Sequence, residues 1–317
     1  MELLAYTIKK LLSSIPIFLG VTFLSFLLMV YFGNDVSYSL MGRNGTLADL
    51  EEIRRQLGYH VPFMDRYLDY LQDIFSLDFG RSIVSHEKIS DIFRRSIPIS
   101  IAVNLPGFVM GNLLAVVLSL YAVFHQGKTL DKVIMLVSGV GMSMSFLIVI
   151  IGFQLVFCSS YGLNWFPVQG WDMSSVSAYA KHVCIPTLAT IFVSFGYNTR
   201  FFRAVMAEEM SKLYVRSAMC LGLPMRTVMV KGILWNALIP IVTRVIFSIP
   251  FLFMEGSLLL ESFFGIPGMG GVTYSAIAAG DMPVLKLVVG LGSMLYLSIL
   301  ILADIVYKFI DPRISLS

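Results

Sequence analysis

Charged side chains, histidines and cysteines are scarce in this 317-residue chain. Lysine, arginine, aspartate and glutamate make up 14% of it, against about 25% in soluble domains. Hydrophobic residues make up 57%, so the composition indicates an integral membrane protein. The net charge of +3 is small. The basic residues lie in particular loops, which indicates membrane topology rather than binding to nucleic acid.

Motifs of several enzyme classes are also missing. The chain has no zinc-binding His-Glu-x-x-His and no Gly-x-Ser-x-Gly nucleophile elbow. Gly127-Lys128-Thr129 is similar to the end of a phosphate-binding loop, but Ala122 stands where that loop requires its first glycine. Three cysteines exclude a disulfide scaffold and a cysteine-rich metal site. Cys158 and Cys184 are either bridged or two buried thiols. We therefore expect no catalytic residue, metal site or cofactor on this chain.

Six apolar runs are long enough to cross a bilayer, which takes about 20 residues. Lys9 and Lys10 precede the first run, and the loops at 125–132 and 206–231 are basic. Both termini and these two loops are therefore expected on the cytoplasmic side. The expected fold is an all-α integral membrane protein with six transmembrane helices. The predicted spans are 11–32, 99–124, 133–157, 184–205, 233–260 and 284–307.

A polar segment at 33–98 follows the first span. It is too short for a large core of its own, so we predict a small helical extracytoplasmic subdomain that leans on the membrane mouth. The chain then divides into an N-terminal segment with the first span, 1–32, this subdomain, and a five-span core, 99–317. The core contains a cytoplasmic loop at about 207–232.

Helix signals are clear within this subdomain. Thr46 and Asp49 have the spacing of a capping box, and Gly58 is placed to end the helix that they start. Pro62 is placed to open a second helix. An amphipathic piece is expected at 89–97, before the second span.

The stretch Ser211–Pro240 lies between two apolar runs and is basic. The spacing of its first apolar residues predicts a short amphipathic helix. Gly222 followed by Pro224 predicts a helix stop, after which a second helix enters the next span. An exposed amphipathic helix must bury its apolar side, either at the bilayer surface or in the groove of another protein.

A family resemblance rests on this stretch. Tyr214-Val215-Arg216-Ser217-Ala218, Gly222-Leu223 and Asn236-Ala237-Leu238-Ile239-Pro240 resemble the cytoplasmic signature loop of ABC importer permeases, most of all the first permease of the dipeptide, oligopeptide and nickel branch. The resemblance implies that the loop docks into a cleft of an ATPase subunit and transmits its closure to the pore. The coupling residues that it implies are Tyr214, Arg216, Ser217, Ala218, Leu221, Gly222, Leu223 and Pro224.

The chain departs from the family at three places. Family members usually have a basic residue at the position of Leu221 and a small or basic pair at Met219 and Cys220. The docking surface is therefore expected to be unusually apolar. They also usually have a proline at the position of Met144, so the third span lacks the residue expected to kink it.

The outer and C-terminal segments extend the resemblance to the whole chain. Glu261, Phe264, Pro267-Gly268 and Gly270 match the family's last outer loop, which implies a re-entrant or mouth-lining segment; a glycine-rich phosphate cradle is the alternative. We assign Glu261, Pro267, Gly268 and Gly270 to this outer mouth. Asp311-Pro312-Arg313 is similar to the family's terminus.

Polar residues within the spans are candidates for the translocation path. Asn104, Asn112, Gln154 and Asn198 either line that path or bridge packed helices. Arg244 is the cation deepest in an apolar run. Facing the pore, it would attract a carboxylate or phosphate; near the inner end of its span, it would reach the interface or pair with another side chain.

The resemblance implies a bacterial cytoplasmic-membrane protein that works with several partners. These are a second homologous permease, two ATPase subunits or domains, an extracytoplasmic solute-binding protein and the lipid bilayer. ATP and Mg²⁺ would be bound by the ATPase subunits. Peptide, nickel, metal-chelate and opine systems share this scaffold, so the cargo stays open. The alternatives are an ion-gradient-driven secondary transporter, which the lack of a convincing acidic pair in the spans disfavours, and a non-transporting membrane scaffold.

Overall fold

The structure is a computed structural model, and it describes residues 2–33, 37, 46–56, 58–76, 78–251 and 257–310. The motif Asp311-Pro312-Arg313 lies outside the described residues. The described chain forms two compact units. The first contains the described residues of 1–98 and 271–301, and the second contains those of 99–270 and those from 302 onward.

The first unit begins with helix α1, Glu2–Phe32, followed by α2, Leu47–Gln56, and α3, Phe63–Ser76. The predicted capping box is confirmed, because the carboxylate of Asp49 accepts from the Thr46 backbone N–H at 2.8 Å and the Asp49 N–H donates to the Thr46 hydroxyl at 3.3 Å. Gly58 has a positive φ of 73° just after α2, as the predicted helix stop requires.

Aromatic rings hold α3 against α1 and α12, Met282–Ile310, within the first unit. Tyr70 is fully buried and stacks on Phe26 with ring centroids 5.2 Å apart. The Tyr70 hydroxyl donates to the backbone oxygen of Lys286 at 3.1 Å. Lys286 in turn lies 5.4 Å from the Phe26 ring centroid, close enough for a cation–π interaction. The second helix of the predicted subdomain is therefore packed on two apolar helices.

Helix α4, Ile89–Phe124, is continuous. The amphipathic piece predicted at 89–97 is therefore the first part of this helix, which continues into the second predicted span. Pro98 lies inside α4, and the chain is helical both before and after it. The α4 helix starts in the first unit and continues in the second.

The third predicted span is two helices rather than one. α5, Thr129–Ser143, and α6, Phe146–Phe153, which continues as a π-helical turn over Gln154–Cys158, meet at an angle of 99°. Met144 and Ser145 have extended backbones, with ψ of 135° and 139°. The break arises without a proline because α6 turns to bury Val149 and Ile150 in an apolar cluster with Leu260, Phe264 and Ile266.

The fifth predicted span also has different bounds. After α7, Val176–Met210, and α8, Leu213–Cys220, the helix α9 starts at Met225 and extends to Phe251. Its parts are Met225–Thr227, a π-helical segment Val228–Leu234 and Trp235–Phe251. The predicted start of this span at Ile233 is wrong, because the helix already begins at Met225, and Pro240 lies inside the helix. Two short helices follow, α10, Ser257–Phe264, and α11, Met269–Ala279.

Glycines let α5 and α7 approach closely. A Cβ atom added at Gly196 would lie 2.7 Å from both the Gly141 carbonyl carbon and the Met142 backbone nitrogen. Those are backbone atoms, so they have little freedom to move away. Small residues on both helices thus allow the close contact of α5 with α7.

Five described helices are long and apolar enough to cross a membrane, and the bent pair α5–α6 brings the number to six when counted as one span. The helices are α1, α4, α7, α9 and α12. The described residues therefore agree with a helical protein of five or six membrane spans.

We expect Gly196→Ala to lower the free energy of unfolding by about 1–3 kcal/mol, because overpacking a tight contact has that cost. Gly152→Ala on α6 is the matched control, since a Cβ atom there has no neighbour within 4 Å. The measurement is the unfolding temperature of the detergent-purified protein. Equal unfolding temperatures for the two variants would contradict the close packing of α5 on α7.

Candidate functional site

The predicted coupling segment is a helix, a tight turn and a second helix, as the sequence predicts. α8 ends at Cys220, and Gly222 has a φ of 78°. The Gly222 N–H donates to the Met219 oxygen at 3.0 Å, and the Leu223 N–H donates to the Ala218 oxygen at 3.2 Å. This pair of bonds is the Schellman motif, in which glycine takes the left-handed position. Pro224 then precedes the first turn of α9.

One side of α8 is buried in the second unit. Val215 is fully buried in an apolar cluster with Met206 of α7 and Met229 and Ile233 of α9. Ala218 lies half-buried against the same cluster. An isolated helix of eight residues is not stable in water, so this contact with α7 and α9 is what holds α8 in place.

The exposed residues of α8 and its turn are largely apolar. Leu213 and Leu221 are 77% and 82% exposed, and Met219 and Leu223 are also exposed. This exposed surface, which we call the coupling surface, consists of Leu213, Arg216, Ser217, Met219, Leu221, Leu223 and Pro224. Leu221 and Met219 are the positions where the family usually has basic or small residues, so the expected apolar character is present at the surface.

Glu209, near the end of α7, connects that helix to the start of α8. Its carboxylate accepts from the Lys212 ammonium at 2.5 Å and from the Tyr214 hydroxyl at 3.0 Å. The hydrogen bond to Glu209 raises the pKa of Lys212, and partial burial raises the pKa of Tyr214. Glu209 thus holds the Tyr214 side chain towards α7, although Tyr214, like Arg216 and Ser217, is exposed.

A mostly buried ion pair joins the loop at 125–132, which is predicted to be cytoplasmic, to the end of the fourth predicted span. Arg203 of α7 donates from Nε to one carboxylate oxygen of Asp131 at 2.6 Å and from a terminal nitrogen to the other at 2.7 Å. Asp131 is buried in the first turn of α5 and also accepts from the Gly127 N–H at 3.0 Å. Sequence reasoning missed this pair, although Asp131 in a basic loop and Arg203 at the end of an apolar run were signals for it.

Asn104 and Glu261 meet in one buried polar cluster of the second unit. Glu261 is fully buried and accepts from Asn104 at 3.3 Å, from the Gly270 N–H at 2.7 Å and from the Ser257 hydroxyl. The Ser100 hydroxyl accepts from the Met269 N–H at 2.7 Å. The cluster connects α4, α10 and the start of α11. A buried carboxylate needs such donors to offset its loss of hydration.

The same cluster explains the outer glycines. A Cβ atom at Gly268 would collide with the Glu261 carboxylate and the Ser100 hydroxyl, and one at Gly270 would collide with the backbone at Ser257. Pro267 is exposed, whereas Glu261, Gly268 and Gly270 are buried. In this chain Glu261, Gly268 and Gly270 therefore lie in a buried corner, and of the four outer-mouth residues only Pro267 is at the surface.

The other translocation-path candidates lie apart from this cluster. Asn198 donates to the Asn112 side-chain oxygen at 2.9 Å, and both residues are buried where α7 packs on α4. Gln154 donates to the Val168 oxygen at 2.7 Å. Arg244 is exposed on α9 and lies 5.5 Å from the Phe201 ring centroid. Arg244 is therefore the most accessible of the five to a solute or a partner chain.

No three His, Cys, Asp or Glu side chains are grouped to hold a metal ion anywhere in the described part of the chain. Cys158 and Cys184 are free thiols. The candidate site therefore consists of an exposed contact surface on α8 and polar contacts between helices.

Comparison with known proteins gives matches over almost the whole chain. The family of binding-protein-dependent transport system inner membrane components matches residues 107–316, and its N-terminal family matches residues 3–104. A Brucella abortus protein named for a peptide transport system permease is 29% identical over 98% of each chain. The oligopeptide transport system permease protein AppB of Bacillus subtilis is 27% identical, over 98% of this chain and 99% of its own. The glutathione transport system permease protein GsiC of Escherichia coli is 28% identical over the same shares.

We expect Asp131→Asn to lower the free energy of unfolding by about 1–3 kcal/mol, because it leaves the mostly buried Arg203 guanidinium without its carboxylate. Arg95→Gln is the matched control. It breaks the ion pair of Arg95 with Glu87, whose side chains are 65% and 51% exposed, and exposed pairs contribute about 0–1 kcal/mol. The unfolding temperature of the purified protein measures both effects. An Asp131→Asn variant as stable as Arg95→Gln would contradict a stabilising role for the buried pair.

Proposed function

The chain belongs to the family of binding-protein-dependent transport system inner membrane components and is the permease subunit of an ABC importer, and from this premise we propose that it forms half of a translocation pathway for peptides or related small solutes. It is a multi-pass inner membrane protein and is not itself an enzyme. The peptide assignment is supported by relatives named for peptide and oligopeptide transport. Nickel, metal-chelate and opine cargoes fit the same scaffold.

In this proposal, the coupling surface docks on an ATPase subunit. The observation that carries the proposal is the pairing of a buried side with an exposed apolar side on one eight-residue helix. Val215 fixes α8 to α7 and α9, while Leu213 and Leu221 are left to meet another molecule. ATP and Mg²⁺ are bound by two ATPase subunits or domains, whose closure moves α8 and, through it, the spans.

The remaining partners complete the importer. A second homologous permease forms the other half of the path, and a solute-binding protein delivers cargo on the extracytoplasmic side of a bacterial cytoplasmic membrane. Both termini, α8 and the loop at 125–132 lie inside. Arg244 is our first candidate for the wall of the path, because an exposed arginine in a membrane span needs water or a counter-charge.

The direct test is reconstitution of the complete complex in proteoliposomes with the solute-binding protein. The proposal predicts uptake of labelled dipeptides or oligopeptides that requires ATP and stops when the ATPase subunits are left out. Uptake driven by an ion gradient without ATP would support the secondary transporter instead. An intact complex that hydrolyses ATP and transports none of the cargo classes would support the scaffold.

Gly222→Arg should preserve membrane insertion and assembly but reduce uptake at least about tenfold per ATP hydrolysed, because it disturbs the turn that presents Leu221 and Leu223. A non-glycine residue in the left-handed conformation has a strain of about 1–2 kcal/mol. Gly127→Arg is the matched control, because Gly127 has a φ of 79° and, like Gly222, no atom within 4 Å of an added Cβ.

The two variants share the strain and the added charge but differ in the loop that they alter. The proposal predicts that only Gly222→Arg separates ATP hydrolysis from uptake. The ratio of transported cargo to hydrolysed ATP is the measurement. A normal ratio in Gly222→Arg, or the same loss in both variants, would contradict docking at the coupling surface.

A further inference from the structure

Helix α3 lies lengthwise along the outer half of α1. At one end, the Phe63 ring is 5.7 Å from Tyr31; at the other, the Phe75 ring is 6.0 Å from Phe18. Between them, the Tyr67 hydroxyl donates to the Leu19 oxygen at 3.0 Å. The two helices therefore run antiparallel and in contact along nearly the whole length of α3.

The last apolar helix of the first unit gives a second, independent measure of position. The Ile74 side chain of α3 packs where a Cβ atom of Gly290 would lie, at 2.9 Å. Gly290 is eight residues after Met282, where α12 begins. At 1.5 Å per residue, the end of α3 lies about 12 Å along α12 from its start.

These contacts place α3 at the depth of the membrane. The apolar run of α1 covers Lys9–Phe32, and the hydrocarbon core of a bilayer is about 30 Å thick. From Phe32 back to Phe18, α1 descends about 21 Å at 1.5 Å per residue. Since Phe75 contacts Phe18, the end of α3 lies well below the outer surface of any bilayer that α1 spans.

The surface of α3 matches that position. Tyr67, Tyr70 and Ile74 form its buried side. Met64, Leu68 and Phe75 form an apolar stripe at i, i+4 and i+11 and are 54%, 56% and 70% exposed. An exposed stripe of this kind would be unfavourable in water. The neighbouring α1 exposes Leu24 and Leu28 over the same length, and a bilayer that α1 spans would cover these side chains with lipid.

The third side of α3 carries Asp65, Asp69 and Gln72, all exposed. Carboxylates at this depth are too costly to face acyl chains and therefore face water or protein. A helix with one lipid-compatible side and one hydrated side fits between the bilayer and an aqueous path. If the whole helix were exposed to water, its acidic side would be explained but its apolar stripe would not.

We propose that α3 is a re-entrant membrane helix: its stripe of Met64, Leu68 and Phe75 contacts lipid acyl chains, and its acidic side faces water. The predicted extracytoplasmic subdomain then descends into the membrane along α1 and α12 instead of remaining above it. The inference rests on α1 and α12 spanning the bilayer and is independent of the cargo and of ATPase coupling.

The test is site-directed spin labelling of the complete transporter in lipid nanodiscs. Single cysteines replace Leu68, Phe75 or Gln72 in a background without Cys158, Cys184 and Cys220, and each is labelled with a nitroxide. Leu24→Cys on α1 is the lipid-exposed reference. Collision with oxygen reports the lipid phase, and collision with a water-soluble nickel chelate reports the aqueous phase.

We expect Leu68→Cys and Phe75→Cys to match Leu24→Cys, with oxygen collisions at least about threefold above nickel collisions and Phe75→Cys deeper than Leu68→Cys. Gln72→Cys should show the reverse ratio. Nickel access at positions 68 and 75 would place α3 in water and overturn the proposal. Protection from both reagents would overturn it as well, because a protein partner would then cover the stripe. The purified complex of each variant must retain its native size.

Discussion

The burial of Val215 is the contact on which the coupling surface depends. A helix of eight residues has too few hydrogen bonds to offset its nucleation, so α8 exists because its apolar side packs on Met206, Met229 and Ile233. That packing has two consequences. It fixes the other side of the helix outward, and it connects any force on that side directly to α7 and α9, which are both candidate membrane spans. Glu209 strengthens the link by holding Lys212 and Tyr214 at the junction.

Local sequence signals predicted the features that depend on a few neighbouring residues. The Thr46–Asp49 capping box and the Gly222 turn follow from hydrogen bonds within six residues, and both are present in the structure. Local sequence signals did not predict the bend at Met144 and Ser145. The bend arises from the packing of Val149 and Ile150 on α10, which is more than 100 residues away in the chain. Proline is one cause of a helix break; distant apolar packing is another.

The polar residues of the spans show the same limit. The sequence indicated that these residues either bridge packed helices or line the translocation path, but it did not distinguish the two alternatives. Asn104 meets Glu261, and Asn112 meets Asn198, because the helices that carry them are adjacent. A single sequence does not show which helices are adjacent. The pattern of α3 was likewise ambiguous, since its aspartates suggested a soluble helix while its aromatic side packs on two apolar helices.

In the proposed function, force enters the chain through α8, and the molecule that contacts α8 can be identified directly. A photoreactive amino acid at Leu221, activated in the assembled transporter in a lipid bilayer, would report the molecule that covers the coupling surface. Tyr161, which is fully exposed between α6 and α7, is the reference position. The account predicts a covalent adduct between position 221 and an ATPase subunit, and none with that subunit from position 161. Adducts of position 221 with lipid alone would contradict it.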